Sequence, residues 1–252
     1  MKVHVLNCAT IGLPFPAVDV ATCCLLAESD DGLVLVDTGL GTWDYRDPAR
    51  GVRALRRLVR TFGTPDQTAV NQVVGLGHSA QDVRHIVMTH LHVDHAGGLP
   101  DFPEATVHVS GTEYVIAQSG GRLRDLVYIA DHWGHGPKWQ IYDSSRALDW
   151  FGFDAFPVLD RPTLQVMLVP LPGHTRGHCG VAVGDGSQWI LHCGDAVAMG
   201  ALETKPGSIA ALPLGPSFLK LHALAQAEAG RIRLMPAHVG VDDMPELSDA
   251  GE

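Results

Sequence analysis

The chain has 252 residues, 46% of them hydrophobic, with 18 basic and 28 acidic side chains and a net charge of −10. That length fits one large domain or two small ones, and there is enough apolar material for a substantial core. The negative balance works against long-range attraction to nucleic acid or an anionic membrane and suits a neutral or weakly charged small substrate.

In chain order, segments 2–7, 20–28 and 33–36 are short apolar or β-branched runs and read as strands, and Asp30-Asp31-Gly32 predicts a hairpin between the last two. Segment 48–61 reads as a helix: Val52, Leu55, Leu58, Val59 and Phe62 recur at helical spacing, with Arg53, Arg56, Arg57 and Arg60 on a solvated face. A second helix is expected near 67–76, a short turn capped by Ser79, and then a strand at 85–88. A strand at 106–109 and a helix at 112–118 follow. The aromatic-rich stretch 119–163 reads as an irregular, pocket-forming insertion. Strands at 165–169, 180–183 and 188–192, a helix at 218–229 and a last strand at 232–235 complete the series.

No linker, repeat or low-complexity run divides the chain, so a single domain over 1–252 is expected. Runs of strands with helices between them fit an α/β (α+β) layering of sheet on sheet with outer helices. The opening MKVHVLNCATIG lacks the apolar core of a signal peptide, and the most apolar stretch, 20–27, is far short of a membrane span. Cys8, Cys23, Cys24, Cys179 and Cys193 are odd in number and form no C-x-x-C pair. Buried thiols in a reducing cytoplasm are therefore expected rather than a disulfide framework.

The informative segment is Thr89-His90-Leu91-His92-Val93-Asp94-His95, in which four metal-ligating side chains fall within six positions at the end of a strand. Gly97-Gly98 and Pro100 follow, which favours a tight turn. Strand alternation would send His95 to the opposite face from His90, His92 and Asp94, whereas a loop can converge all four. Imidazole and carboxylate suit zinc, and also iron or manganese. Three more candidates lie at strand ends beside Gly or Pro: His174 in Pro172-Gly173-His174-Thr175-Arg176-Gly177-His178, Asp195 in Cys193-Gly194-Asp195, and His238 in Pro236-Ala237-His238.

With these elements in order, and with Val36-Asp37-Thr38-Gly39 before them, the chain resembles the metallo-β-lactamase superfamily over nearly its whole length. The resemblance implies a four-layer αβ/βα sandwich with two metal ions at one edge between the sheets. It implies that His90, His92 and His174 hold one ion, that Asp94, His95 and His238 hold the second, and that Asp195 bridges them. Asp37 is implied to brace the ligand loop, and His178 to support its own. The expected cofactor is two Zn2+, with iron or manganese as alternatives. A hydroxide bridging the two ions would attack an electrophilic centre, with Asp94 orienting it as well as binding metal.

An aspartate at position 195, where the best-known zinc β-lactamases carry cysteine, looks more like glyoxalase II, lactonases and related esterases. The expected reaction is hydrolysis of a small ester, thioester or lactone. N-acyl homoserine lactonases resemble the chain in the metal set, but where many carry a tyrosine three residues after the bridging aspartate this chain has Ala198. One rival is a persulfide-dioxygenase-like oxidoreductase with a single iron. Another is a phosphodiesterase or nuclease of the RNase Z type, against which the net charge weighs.

The run Asp131 to Trp139 concentrates His132, Trp133, His135 and Trp139 in the irregular stretch. It is expected to form a wall of the substrate pocket, since function gathers on long loops over a rigid scaffold. The alternative is that its tryptophans anchor the loop to the core, or to a partner subunit in a homodimer. The expected ligand is a small molecule, with no nucleic acid and no membrane. Cys193 reads as a buried strand thiol. His4, His78, His85, His108, His192 and His222 read as structural or solvated.

Overall fold

The computed structural model describes residues 1–15, 17–121, 126–143, 145, 147–197 and 215–245. Two sheets face one another. In the first, β1 (Val3–Pro14), β2 (Ala17–Ser29) and β3 (Gly32–Val36) form an antiparallel meander. Three parallel strands extend it: β4 (Val83–Val87), β5 (Thr106–Ser110) and β6 (Lys138–Tyr142). The second sheet contains β7 (Leu148–Trp150), β8 (Phe153–Asp160), β9 (Gln165–Pro170), β10 (Cys179–Gly184), β11 (Trp189–His192) and β12 (Ile232–Met235), side by side in reverse order from β12 to β7. The chain then crosses back, and β13 (His238–Gly240) pairs with residues 20–22 of β2.

Alternation along the strands builds the layers. In β2, Cys23, Leu25 and Ala27 face the second sheet and meet Val166, Leu168, Cys179, Val181 and Val183. Cys24 and Leu26 face the other way, toward Val73 of α3 (Ala69–Gly75) and Ala117 of α5 (Gly111–Gln118). On the outer face of the second sheet, Phe218, Leu221 and Leu224 of α6 (Gly215–Ala227) cover Ala182, Trp189 and Leu191. Strands covered on both faces read as continuous apolar runs, which explains the unbroken stretch at 20–27. The result is the αβ/βα sandwich.

Two readings change. The stretch 119–163 carries β6, β7 and β8 and so contributes to both sheets. Its hairpin turns at Phe151 and Gly152, both at positive φ (49° and 79°). This is the two-residue turn usually signalled by Asn-Gly, and a phenylalanine at the first position hides it. The helix expected at 48–61 is α2 (Arg50–Leu58); from Arg60 the chain runs beside β1, with Arg60 N–H donating to Gly12 O at 2.7 Å and Gly12 N–H to Thr61 O at 2.8 Å. Leu58 is consequently exposed, while Phe62 packs on Tyr45 with ring centroids 5.6 Å apart. Among the described residues no helix is long and apolar enough to cross a membrane, and all five cysteines are buried free thiols.

Candidate metal centre

Connections at one edge of the sandwich supply the site. β3 leads directly into Asp37, and β4 runs into His90 and His92. His92 then starts a single helical turn, α4 (Val93–Ala96), its carbonyl accepting from His95 N–H at 3.0 Å and Ala96 N–H at 2.9 Å. Successive residues on such a turn point ~100° apart, rather than to opposite faces as on a strand, so Asp94 and His95 can both border one site. His174 lies on the β9–β10 connection, Asp195 just after β11, and His238 at the start of β13.

All seven side chains converge. The ligating atoms of His90, His92 and His174 lie within 4.8 Å of one another, as do those of His90, His95 and Asp195, and those of Asp94, His95 and His238. Asp195 divides them. Its Oδ2 is 3.3 Å from His174 Nε2 and 4.0 Å from His90 Nε2, while its Oδ1 is 3.3 Å from both His95 Nε2 and His238 Nε2. His92 Nδ1 is 3.0 Å from His174 Nε2, and Asp94 Oδ2 is 3.4 Å from His238 Nε2. Ligands ~2.0–2.2 Å from a tetrahedral centre stand ~3.4 Å apart, so these spacings match the edges of two coordination polyhedra sharing one carboxylate.

The far side of each ring fixes which nitrogen is free. Thr89 Oγ1 donates to Asp37 Oδ2 at 2.7 Å and so accepts from His90 Nδ1 at 3.0 Å. His95 Nδ1 donates to Asp37 Oδ2 at 2.8 Å, and His238 Nδ1 to Ala21 O at 3.4 Å. Each Nε2 is thereby turned toward the cluster. His90 Nε2, His95 Nε2 and Asp195 Oδ1 are buried and make no hydrogen bond. Each such orphan costs ~1–3 kcal/mol. Three of them aimed at one point form a donor set that fits divalent cations.

The histidines divide electrostatically. Burial depresses His90 well below the usual imidazole range, and burial with the neighbouring His174 takes His92 to about 4. Burial opposes charge on His95 too, but Asp195, Asp94 and Asp37 overcome it and hold His95 well above that range. Asp195 is half-buried, which works to raise its carboxyl, yet His95 and His238 keep it well below the usual carboxylate range.

The supporting residues are tightly placed. Asp37, fully buried at φ 56°, also accepts from Thr89 N–H at 2.8 Å through Oδ1. His178 donates from Nδ1 to Leu171 O at 3.1 Å and accepts Asp195 N–H on Nε2 at 2.9 Å, so it spans two ligand loops. Burial depresses His178 to about 4, which keeps it neutral for both bonds. Gly194 sits at φ 53°, and a Cβ there would fall 2.5 Å from His178 Nε2. Cys193 is buried, its thiol pushed up to about 12 by burial.

Beside the cluster lies a cavity of about 350 Å³, lined among the described residues by Asp94, His174, Asp195 and His238 on one side and Ile11, Leu13, Val20 and Val197 on the other. The 131–139 run does not contribute to that lining. His132 is buried and bonded through Nε2 to Asp44 Oδ1 at 2.8 Å, and Asp44 Oδ2 accepts Gly41 N–H at 2.9 Å at the start of α1 (Thr42–Arg46). Trp133 belongs to the core on the outer face of the first sheet. Trp139 lies in β6 against Tyr114, with ring centroids 5.3 Å apart, and His135 is exposed. Burying two large rings draws this run onto the sheet, away from the ligands. Ala198 lies outside the described residues.

Two residues at the site carry no sequence motif. Glu113, fully buried, and Tyr128, whose ring is 4.7 Å from that of His92, stand behind the His90/His92/His174 group. Glu113 falls three residues after Ser110 at a helix start, a pattern that reads as an ordinary capping box.

The family model described as "Metallo-beta-lactamase superfamily" matches residues 18–239. A probable metallo-hydrolase of Mycobacterium tuberculosis (strain ATCC 25618 / H37Rv) is 47% identical over 199 residues, which cover 78% of this chain and 62% of that protein. The aligned part therefore spans less than two thirds of that relative. The N-acyl homoserine lactonase AttM of Agrobacterium fabrum (strain C58 / ATCC 33970) is 34% identical over 114 residues, 45% of this chain and 40% of its own. A solved N-acyl homoserine lactone hydrolase, with the product N-hexanoyl-L-homoserine at its catalytic metal centre, superposes with a TM-score of 0.68 at 21% identity, covering 94% of this chain and 93% of that one. That likeness shows a shared fold. The chain belongs to the metallo-beta-lactamase superfamily.

Proposed function

We propose that the protein is a dinuclear metal-dependent hydrolase of a small ester, thioester or lactone, with zinc as the metal. One observation carries the reading: the two oxygens of Asp195 face two separate ligand groups, Oδ2 toward His90 and His174 and Oδ1 toward His95 and His238. In this reading His90, His92 and His174 hold one cation, Asp94, His95 and His238 hold the other, and Asp195 joins them. Two such cations supply Lewis-acid polarisation of a carbonyl oxygen and a nucleophile drawn from water at neutral pH.

The chain's own residues do the rest. Asp94 lines the cavity, so its carboxylate can take a proton from the attacking water as well as serve as a ligand. Ile11, Leu13, Val20 and Val197 give the opposite wall an apolar surface that suits an acyl or alkyl group. A volume of about 350 Å³ suits a small molecule, being near the low end of the ~300–1,000 Å³ typical of such sites. The net charge of −10 weighs against a polyanionic substrate. The kinship with an N-acyl homoserine lactonase makes lactones the first substrates to try. Five free thiols fit a reducing compartment, and we place the protein in the cytoplasm.

The test is elemental analysis of the purified protein together with turnover on lactones, thioesters and phosphodiesters. Two zinc ions per chain with lactone or thioester hydrolysis, abolished in His92→Ala and Asp195→Asn, is the expected result. One iron per chain with oxygen consumption would replace this reading with the dioxygenase.

A further inference from the structure

Each ligand group in the proposed centre has a buried carboxylate behind it, and only one of the two belongs to a recognisable motif. Behind His95 stands Asp37. Behind the His90/His92/His174 group stands Glu113, on the first turn of α5 and fully buried. Glu113 Oε1 accepts Leu91 N–H at 3.0 Å, from the peptide between two histidine ligands, and Tyr128 O–H at 2.9 Å. Its Oε2 accepts Thr175 O–H at 2.6 Å, from the residue following His174. Tyr128 in turn sets its ring edge-on to His92. One carboxylate therefore grips both ligand loops and, through Tyr128, the ring of His92 itself.

The backbone shows the same clamp. Ser110 Oγ donates to Gly177 O at 2.6 Å, and a Cβ on Gly177 would fall 2.1 Å from Glu113 N, so the His174 loop rests directly on the start of α5. Burying a carboxylate is costly unless its acceptors are filled. Here they are filled from loops 84 residues apart in sequence, since Leu91 and Thr175 are both donors.

We infer that Glu113 is a positioning residue that fixes the mutual placement of His92 and His174, and hence the cation affinity of the His90/His92/His174 site alone. Asp37 holds His95 directly and, through Thr89 Oγ1, also orients His90. The inference rests on the dinuclear reading above.

Zinc competition against a chromogenic chelator separates the two. The wild-type curve reports the number of equivalents and so tests the dinuclear reading by itself. In Glu113→Ala, one equivalent should weaken by about 10–100-fold, the usual effect of removing such a partner, and the other should stay in place. Glu113→Gln should remain near wild type, because its carbonyl still accepts from Leu91 and Tyr128 while its amide donates to Thr175 Oγ1. In a His92→Ala background, where the remaining equivalent belongs to the other site, Glu113→Ala should shift nothing. Thr175→Val and Tyr128→Phe each remove one bond, should weaken the same equivalent several-fold, and carry the test if Glu113→Ala fails to fold. Equal weakening of both equivalents, or unchanged curves in Thr175→Val and Tyr128→Phe, would overturn the assignment. A wild-type curve with one equivalent would sink the dinuclear reading, yet weakening of that equivalent by Glu113→Ala and by Thr175→Val, with Glu113→Gln near wild type, would still uphold Glu113.

Discussion

Replacing Asp37 by asparagine changes one atom, and its consequence can be followed proton by proton. Asparagine tolerates the φ of 56° that Asp37 adopts, so the backbone has no reason to move. The amide oxygen takes over the bond from Thr89 N–H at 2.8 Å. The new NH2 replaces Oδ2, which accepts from Thr89 Oγ1 at 2.7 Å and from His95 Nδ1 at 2.8 Å. The threonine hydroxyl can rotate and accept instead. The imidazole cannot: two donors now face each other unless the His95 proton moves to Nε2, the atom turned toward Asp94 and Asp195. A bond of this charge-assisted kind is worth ~1.5–3 kcal/mol. A 10–100-fold loss of metal affinity is ~1.4–2.7 kcal/mol, so the structural and binding magnitudes agree. The metal-free protein should lose less, because His95 can shed its charge once its partner is neutral. Asp37→Ala should cost ~2–5 kcal/mol even without metal, since it strands Thr89 N–H and puts alanine at positive φ. Urea unfolding of the metal-free proteins and zinc competition of the loaded ones measure both quantities. A normal zinc curve for Asp37→Asn, or a normal midpoint for metal-free Asp37→Ala, would refute the reasoning.

Gly177→Ala should cost ~1–3 kcal/mol or more and loosen the His174 loop, because its Cβ meets backbone that cannot yield, whereas Gly173→Ala, with open space around it, should cost under ~1 kcal/mol; paired thermal melts compare them. Leu13→Ala and Ile11→Ala should flatten the dependence of kcat/KM on acyl chain length, by up to about fourfold per methylene at ~0.8 kcal/mol each, and an unchanged chain-length profile would show that this wall does not touch substrate. Burial holds His108 down to about 3, with His85 Nδ1 at 2.9 Å from its Nε2 and Tyr142 Oη at 2.9 Å from its Nδ1. Its folded pKa is depressed, so the unfolded chain takes up the proton first. Stability is then full above ~6.5 and falls as pH drops from there toward 3, by up to ~1.4 kcal/mol per pH unit from this residue. His108→Gln should lose that share of the slope in denaturant titrations at pH 4–7.

The convergence of the seven candidate ligands was legible because metal chemistry admits few residue types, and each of them follows a strand end with little chain between. Asp37 was legible through its motif. Glu113 was not, since Ser110-Gly111-Thr112-Glu113 is what any capped helix shows, and Ser110 Oγ does accept Glu113 N–H at 3.2 Å. Only the side chain's turn inward, away from the cap, makes it different. The run 131–139 misleads for the opposite reason. A local cluster of His and Trp looks functional, yet burial of Trp133 and the pairing of His132 with Asp44, 88 residues away, depend on contacts no local pattern displays. The β7–β8 hairpin was hidden by a phenylalanine at a position that normally shows asparagine.

The division between what was readable and what was not follows the two walls of the cavity. Its polar side comes from loops after β4, β9 and β11 and from the start of β13, where a ligand must be one of a few residues and a glycine or proline marks the turn. Its apolar side comes from β1, β2 and Val197, where Ile11, Leu13 and Val20 are residues that any strand could carry. The two walls therefore have separate chemistry, one of ligating side chains and one of hydrocarbon. Substrate choice in this chain should therefore follow changes at Ile11, Leu13 and Val20 while zinc content stays constant. Changes at Asp37 or Glu113 should alter zinc content and leave the ranking of substrates unmoved. A variant at Leu13 that lost zinc, or a Glu113 variant that reordered substrates, would show that the two walls are not independent.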